Sequence, residues 1–143
     1  MTLPPVTDLL PHRDRWLLLD HLTHVDLAAG VAEAVARFDA DYTRGHFPER
    51  AVVPGVALLE ALAQTLGCLA RLSDPAATGI PYLAAFDRVR FRAPVFPPAE
   101  VALRVEIRER RLGLTSAEGT ATCAGRRVCT ARLTGAILPR PEG

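Results

Sequence analysis

Hydrophobic side chains occupy nearly every position of residues 56–72, so a helical projection of this segment has almost no polar side. Its residues are strong helix formers, Pro54 and Gly55 precede it, and the Pro- and Gly-containing residues 73–81 end it. A helix that is apolar on all sides has to be covered on several of them. The pattern therefore predicts one central, buried helix over residues 56–72.

The rest of the chain is dominated by an alternation of apolar and polar side chains with a period of two, which is typical of half-buried strands. This alternation predicts strands over residues 31–38, 101–107, 114–123 and 129–137. Residues 86–96 and 16–22 are weaker strand candidates. Residues 3–10 fit a short turn or helix that ends at Pro11, whereas residues 39–54 lack periodicity and are expected to form a loop.

One long helix followed by three or four antiparallel strands predicts an α+β fold, in which a strongly curved sheet wraps around the helix. The chain shows no internal repeat, so we expect a single domain over residues 1–143. Such a sheet leaves edge strands and one flank of the helix uncovered. Pairing with a second copy of the chain would cover them.

Composition and charge argue against several classes of protein. Hydrophobic residues make up 49% and charged residues 23% of the chain, which is ordinary for a globular domain. The net charge of +1 gives no overall field for nucleic acid or an anionic membrane. Arg50 and Arg71 flank the apolar segment and Glu60 interrupts it, which argues against a membrane span.

The cysteines also give no sign of a metal site or a disulfide framework. Cys68, Cys123 and Cys129 are odd in number and lack metal-binding spacing, and the N-terminus lacks the charged and apolar regions of a secretory signal. We therefore expect reduced thiols in a cytoplasmic protein. No group of histidines and cysteines has the spacing of a ligand set, so neither a metal nor a cofactor is expected.

Two side chains in and before the predicted helix carry candidate chemistry. Glu60 lies among apolar residues, where burial is expected to raise the pKa of a carboxyl and keep it protonated. His46 lies upstream in a Gly-His-Phe-Pro loop, and histidine suits proton transfer near neutral pH. From position alone, a structural hydrogen bond for His46 and a salt bridge for Glu60 are the more common interpretations.

The order and spacing of five short segments resemble a known enzyme family. The segments are Leu10–Arg13 (LPHR), Gly45–Pro48 (GHFP), Val52–Val56 (VVPGV), Glu60–Gln64 (EALAQ) and Arg90–Val95 (RFRAPV). Together they resemble the 3-hydroxyacyl-[acyl-carrier-protein] dehydratases of bacterial fatty-acid synthesis, over residues 10–137. The resemblance implies the hot-dog fold, a long helix wrapped by a curved antiparallel sheet. It also implies homodimers, which in this family often assemble into trimers of dimers.

The resemblance further implies an active site at the dimer interface. His46 matches the family's catalytic histidine, the base at C2, and Glu60 matches its catalytic carboxyl, the acid toward the 3-hydroxyl. In the family these two side chains come from different subunits. Gly55 matches the position whose backbone N–H binds the thioester carbonyl, which agrees with the positive end of a helix dipole.

The neighbours of these residues complete the predicted substrate site. Gln64 lies four residues after Glu60 on the same helical face, where it could orient the carboxyl or a water. Phe47 and Val56 are assigned to substrate binding because they adjoin His46 and Gly55. Packing is the alternative interpretation for Phe47.

The family's substrates are carried on the phosphopantetheine arm of an acidic acyl carrier protein. Arg88, Arg90 and Arg92 alternate along one predicted strand, so all three are expected on one face, where they would bind this partner. A solvated strand face with Arg–carboxylate pairs is the alternative.

Two other functions stay open at this level. In a hot-dog acyl thioesterase, Glu60 would activate water against the thioester, and the histidine of the GHFP segment disfavours this reaction. A non-catalytic acyl-binding or assembly subunit would keep only the fold, and the presence of both His46 and Glu60 disfavours it.

Overall fold

The computed structural model describes residues 2–139, which form a six-stranded antiparallel sheet with a long helix against it. The elements in chain order are α1 (Val6–Leu9), a 3₁₀ turn (Asp14–Trp16), β1 (Leu19–Asp26), β2 (Val31–Phe38), α2 (Gly55–Ser73), β3 (Ile80–Phe91), β4 (Ala99–Arg111), β5 (Leu114–Cys123) and β6 (Arg126–Leu138). The strand order is β1-β2-β4-β5-β6-β3. This architecture confirms the predicted α+β hot-dog fold.

Helix α2 is the centre of the fold. It has 19 residues and is therefore about 28 Å long. Buried side chains lie on several of its faces, as the apolar pattern predicts, and Leu62 and Leu69 have no exposed surface. Gly119 of β5 lies under the helix, where a Cβ would be 3.3 Å from Leu62 of α2 and 2.6 Å from Leu133 of the neighbouring strand β6. By length and composition α2 could span a membrane, but most of its surface is buried within the fold, as in a core helix.

Strand β4 shows how the alternating pattern builds the core. Val101, Leu103 and Val105 are at most 1% exposed and face α2, whereas the residues between them face outward. On the outer face, Arg104 forms an ion pair with Glu33 of β2. Such exposed pairs contribute about 1 kcal/mol or less each, so burial on the inner face dominates the stability of the sheet.

The predicted bounds agree with the structure for β2 and β5, and the largest error is at β3. This strand begins at Ile80, within the segment that the sequence pattern assigned to a helix break. Pro81 is compatible with a strand here because β3 is at the edge of the sheet and pairs only with β6. The weak candidate at residues 16–22 is also displaced, since β1 begins at Leu19 and continues to Asp26.

Strand β3 is irregular toward its C-terminal end. Its register against β6 shifts between Asp87 and Arg90, and Arg88 has a φ angle of +52°. The predicted alternation that would place Arg88, Arg90 and Arg92 on one strand face is therefore wrong, and Arg92 lies beyond the end of β3. All three side chains are nevertheless exposed.

Candidate active site

His46 lies in the loop between β2 and α2, and backbone hydrogen bonds hold this loop. The His46 N–H donates to the Thr43 carbonyl at 2.9 Å, and the His46 carbonyl accepts from the Val52 N–H at 2.7 Å. The N–H of Phe47 donates to the Arg50 carbonyl at 2.9 Å. The loop therefore presents the imidazole from a backbone that is fixed on both sides.

One contact sets the tautomer of the His46 ring. Nδ1 lies 2.8 Å from the carbonyl oxygen of Val52, and because a carbonyl only accepts hydrogen bonds, Nδ1 carries the proton. The neutral ring then has its free lone pair on Nε2. The ring also stacks on Phe47, with 4.2 Å between centroids. Nε2 is therefore the atom of His46 that can accept a proton.

Glu60 lies in the second turn of α2 with 36% of its side chain exposed. Its Oε1 accepts a hydrogen bond of 3.0 Å from Gln64 Nε2 and lies 3.4 Å from His12 Nε2. Gln64 is itself buried, donates to the Trp16 carbonyl at 2.6 Å and accepts from the Leu18 N–H at 3.0 Å. Gln64 thus joins α2 to the segment before β1 and orients Glu60.

These contacts lower the pKa of Glu60 from its ordinary value of 4.5. Burial acts in the opposite direction and raises this pKa, but the nearby His12 ring and the hydrogen bond from Gln64 favour the carboxylate and outweigh it. The predicted raised pKa is therefore wrong for the single chain. The apolar pattern of the helix correctly indicated partial burial, but it could not show that His12 as well as Gln64 reaches the carboxyl.

The single chain does not bring His46 and Glu60 together. Within residues 2–139 no hydrogen bond or ion pair joins them, and His46 borders neither of the two cavities described below. Both side chains are partly exposed. Each can therefore be reached by a group from outside the chain.

The larger cavity has a volume of about 790 Å³ and extends from Glu60 along α2 toward the helix C-terminus. Small and apolar side chains of α2 form one wall, and they are Ala63, Leu66, Gly67 and Ala70. Residues of β3, β6, the β4–β5 turn with the end of β4, and the segment Leu10 to His12 form the others. Its volume lies within the range of about 300–1,000 Å³ that is usual for small-molecule pockets. An elongated apolar cavity with a carboxyl at one end can hold an acyl chain whose reactive end lies at Glu60.

The smaller cavity, of about 160 Å³, lies on the other side of Glu60. It is lined by Arg15, Trp16, Leu18, Tyr42, Pro54, Val56, Ala57 and Glu60. Its volume is below the usual range for small-molecule pockets. It can admit a side chain or a short segment, but not a long acyl chain.

The N-terminus of α2 lies at the edge of the smaller cavity. The first N–H groups of a helix have no acceptor within the helix, and they point along the positive end of its dipole. A Cβ at Gly55 would lie 2.6 Å from the Phe91 ring, so any larger residue here would displace that ring. Apolar surface surrounds it, since Val56, Phe47 and Phe91 are 70%, 57% and 55% exposed.

The residues predicted to bind substrate occupy different places. Gln64 borders the larger cavity and Val56 the smaller one, whereas Gly55 and Phe47 border neither. His12, which the sequence reasoning did not select, borders the larger cavity and reaches Glu60. Its only signal in the sequence is its place in the LPHR segment. Among the described residues, no group of three or more His, Cys, Asp and Glu side chains could hold a metal ion.

A comparison with known protein families shows to which family the chain belongs. The FabA-like domain family matches residues 10–132, which is most of the sequence. This protein belongs to the FabA-like family. The match includes the LPHR, GHFP and EALAQ segments, and therefore His12, His46, Glu60 and Gln64.

Similar proteins show which members of the family this FabA-like protein resembles. The 3-hydroxyacyl-[acyl-carrier-protein] dehydratase FabZ of Tolumonas auensis is 38% identical over 134 residues, covering 90% of this chain and 89% of that protein. FabZ of Roseiflexus sp. is 37% identical over 135 residues, covering 93% and 94%. Among solved structures, the dehydratase heterocomplex ApeI:P from Xenorhabdus doucetiae matches with a TM-score of 0.82 at 20% identity, covering 97% of this chain and 94% of that chain. The two relatives show the dehydratase family, and the solved structure supports the fold.

Proposed function

We propose that this FabA-like protein dehydrates 3-hydroxyacyl thioesters to trans-2-enoyl thioesters in fatty-acid or related acyl-chain synthesis. The observation that carries the proposal is the position of Glu60 at one end of an elongated apolar cavity of about 790 Å³. The tautomer of His46, which leaves Nε2 free to accept a proton, supplies the matching base. The activity named for the FabZ relatives supports the same reaction.

The reaction needs one base, one acid and one oxyanion donor. His46 Nε2 removes a proton from C2, and the electron pair of that C–H bond forms the C2–C3 double bond. The C3–O bond breaks as Glu60 protonates the hydroxyl, which leaves as water. Charge that develops on the thioester oxygen is stabilised by the free N–H groups at the helix N-terminus, at Gly55. Gln64 holds Glu60 in place, while Val56 and Phe47 contact the substrate near the thioester.

Glu60 has to be protonated before it can act as the acid. In the single chain 36% of its side chain is exposed, and its hydrogen bonds favour the carboxylate. An acyl chain in the larger cavity and a second subunit over the smaller one would remove this water. Added burial raises the pKa of a carboxyl, so the assembled site favours the protonated form.

The active pair is formed by two subunits of a homodimer, with His46 of one chain facing Glu60 of the other. This arrangement accounts for two partly exposed side chains that do not meet within one chain. Edge strand β3 and the helix N-terminus carry the apolar surface that a second copy would bury, including Tyr82, Leu83 and Phe91. A trimer of dimers is the larger assembly that this unit can form.

The substrate arrives on an acidic acyl carrier protein in the cytoplasm. Arg88, Arg90 and Arg92 are exposed, and within residues 2–139 none of them forms an ion pair, in contrast to Arg104 and Arg132 of the outer sheet face. Arginines without intramolecular partners are available to acidic side chains and to the phosphate of a phosphopantetheine arm. They are the first residues to test for carrier binding.

An assay with 3-hydroxyacyl thioesters on carrier protein tests the reaction directly. Formation of the 2-enoyl product supports the proposal, whereas release of free thiol without enoyl product would identify a thioesterase. We expect the His46→Ala and Glu60→Gln variants each to lose about 100-fold or more of the activity while they keep the oligomer. Full activity in either variant would contradict the assigned roles.

Mixing these two inactive variants tests the shared site. In a mixed dimer one site has both intact residues and the other has neither, so random mixing restores about a quarter of the wild-type activity. If His46 and Glu60 acted within one chain, every site would lack one residue and mixing would restore nothing. Light scattering checks that the mixture keeps its oligomeric mass, and native mass spectrometry of variants that carry tags of different length checks that mixed dimers have formed.

A further inference from the structure

Glu60 uses only one of its two carboxyl oxygens in contacts within the described part of the chain. Gln64 Nε2, at 3.0 Å, and His12 Nε2, at 3.4 Å, both reach Oε1. No donor from residues 2–139 forms a hydrogen bond with Oε2. The carboxyl is therefore held on one oxygen and open on the other.

The amide of Gln64 can act only as a donor toward Glu60. Its Oε1 accepts the Leu18 N–H at 3.0 Å, so the NH₂ group has to face the Trp16 carbonyl and Glu60. Both N–H bonds of that group are then in use. Gln64 is 1% exposed and cannot turn over without leaving these backbone groups unpaired.

His12 is held beside Glu60 by the segment that contains it. The Arg13 guanidinium donates to the carbonyls of Leu10, His12 and Thr7 at 2.7, 2.6 and 3.0 Å, which fixes the backbone on both sides of Pro11. Nδ1 of His12 is buried without a hydrogen-bond partner among the described residues. A proton on Nδ1 would bury an unsatisfied N–H, whereas a proton on Nε2 faces Glu60. His12 therefore also acts as a donor toward Oε1.

We propose that His12 is a positioning residue which, together with Gln64, directs the acidic proton of Glu60 onto Oε2, the oxygen open to the substrate hydroxyl. A proton on Oε1 would face two N–H donors, so the carboxyl binds its proton on the other oxygen. This inference rests on the proposed function, because it assumes that Glu60 is the acid. The distance of 3.4 Å is slightly longer than a good hydrogen bond, and such contacts shorten when substrate and partner complete a site.

Other charged and titratable groups near Glu60 are placed differently. Tyr42 and Arg15 border the smaller cavity on the opposite side of the carboxyl, and neither forms a hydrogen bond or ion pair with it. Arg15 is directed to Asp41, with 3.1 Å to its carbonyl. The partner's histidine in the proposed dimer is the base and is unchanged in the variants below. Substitution of His12 therefore changes one donor to Oε1 and leaves these groups in place.

The kinetic test compares two variants at position 12 with a control. His12→Phe keeps a ring of similar size but removes the donor, His12→Gln keeps an N–H near the position of Nε2, and His24→Ala removes an exposed histidine of β1. For His12→Phe we expect a decrease in kcat of about tenfold or more with KM nearly unchanged. The alkaline limb of the pH profile should move to higher pH, because the carboxylate has lost a donor. His12→Gln should recover most of the kcat, and His24→Ala should behave as wild type.

Two kinetic results would overturn the inference. One is a change in KM alone, which would make His12 a wall of the acyl cavity and nothing more. The other is a wild-type pH profile in His12→Phe. A wild-type protein that makes no enoyl product would instead count against the proposed function.

A measurement that needs no activity tests the role of His12 separately from the proposed dehydratase function. The carboxyl carbon of Glu60 can be followed by NMR in ¹³C-glutamate-labelled protein, with its resonance assigned by its loss in Glu60→Gln. We expect the pKa of Glu60 to be higher in His12→Phe than in wild type, and close to wild type in His12→Gln. Equal pKa values in all three proteins would overturn the role of His12 whatever the protein catalyses. If His12→Phe does not fold, His12→Leu replaces it in the same comparison.

Discussion

The two cavities that meet at Glu60 differ in size, lining and expected use. The larger, of about 790 Å³, follows the small residues of α2, whereas the smaller, of about 160 Å³, is enclosed by Trp16, Tyr42 and the helix N-terminus. Only the larger has room for an acyl chain. In the proposed dimer, the substrate and the partner subunit would therefore approach the same carboxyl from opposite sides. Glu60 would then belong to an active site that is formed by both cavities together.

Gln64 borders the larger cavity and bonds to the backbone of Trp16 and Leu18, which line the smaller one. Its substitution should have the largest effect. In Gln64→Leu the Trp16 carbonyl and the Leu18 N–H lose their partner, and Glu60 loses a donor. We expect the free energy of unfolding to fall by about 2–4 kcal/mol, because buried polar groups are left unpaired. Urea unfolding at neutral pH measures this change.

Thr65→Val is a useful control for the loss of Gln64, since Thr65 is equally buried on the next position of α2 but bonds only to the Ala61 carbonyl. A smaller loss of stability is expected for this variant. If Gln64→Leu were as stable as wild type, the amide would not be the connection between α2 and the segment before β1.

Filling the larger cavity should separate substrates by length. Ala70 lies on the cavity wall nearly three turns beyond Glu60, so Ala70→Leu is expected to shorten the cavity without reaching the reactive end. We expect activity on long 3-hydroxyacyl chains to fall by about tenfold while short chains are processed at the wild-type rate. Steady-state kinetics on a series of chain lengths measures the ratio.

The matched control is Ala28→Leu, which places the same side chain in the exposed β1–β2 turn, away from both cavities. It should leave the ratio unchanged. An equal loss on short and long chains in Ala70→Leu would show that the acyl chain does not occupy the larger cavity.

The smallest expected effect concerns the carboxyl that separates the two cavities. While no acyl chain fills the larger cavity, contacts in the folded chain lower the pKa of Glu60 below 4.5, so its charged form stabilises the fold above the unfolded-state value. That contribution is lost as the pH falls through the folded-state pKa. Urea unfolding from neutral pH to below pH 4.5 should therefore show a smaller acid-induced loss of stability in Glu60→Gln than in wild type. Identical pH dependence in the two proteins would mean that the carboxylate gains nothing from His12 and Gln64.

Much of the fold could be predicted because it depends on local pattern. The all-round apolarity of residues 56–72 predicted the central helix, and alternation predicted β2 and β5 with their observed bounds. The start of β3 was missed because Pro81 suggests a break in secondary structure unless the strand is known to lie at the edge of the sheet. The alternation of the three arginines failed for a similar reason, since the irregularity at Arg88 has no clear signal in the sequence.

The sequence by itself determined which residue types are present and in what order: a histidine in a tight loop, a glycine before a helix, and a carboxyl followed four residues later by an amide. Only the tertiary structure decided what surrounds them. The contact of His12 with Glu60, like that of Gln64 with Trp16, joins residues 48 positions apart and cannot be deduced from spacing. His12, together with Gln64, reversed the expected pKa shift of Glu60. The physical reason is that a pKa depends on donors and water within a few ångströms, and the fold brings those groups together from distant parts of the chain.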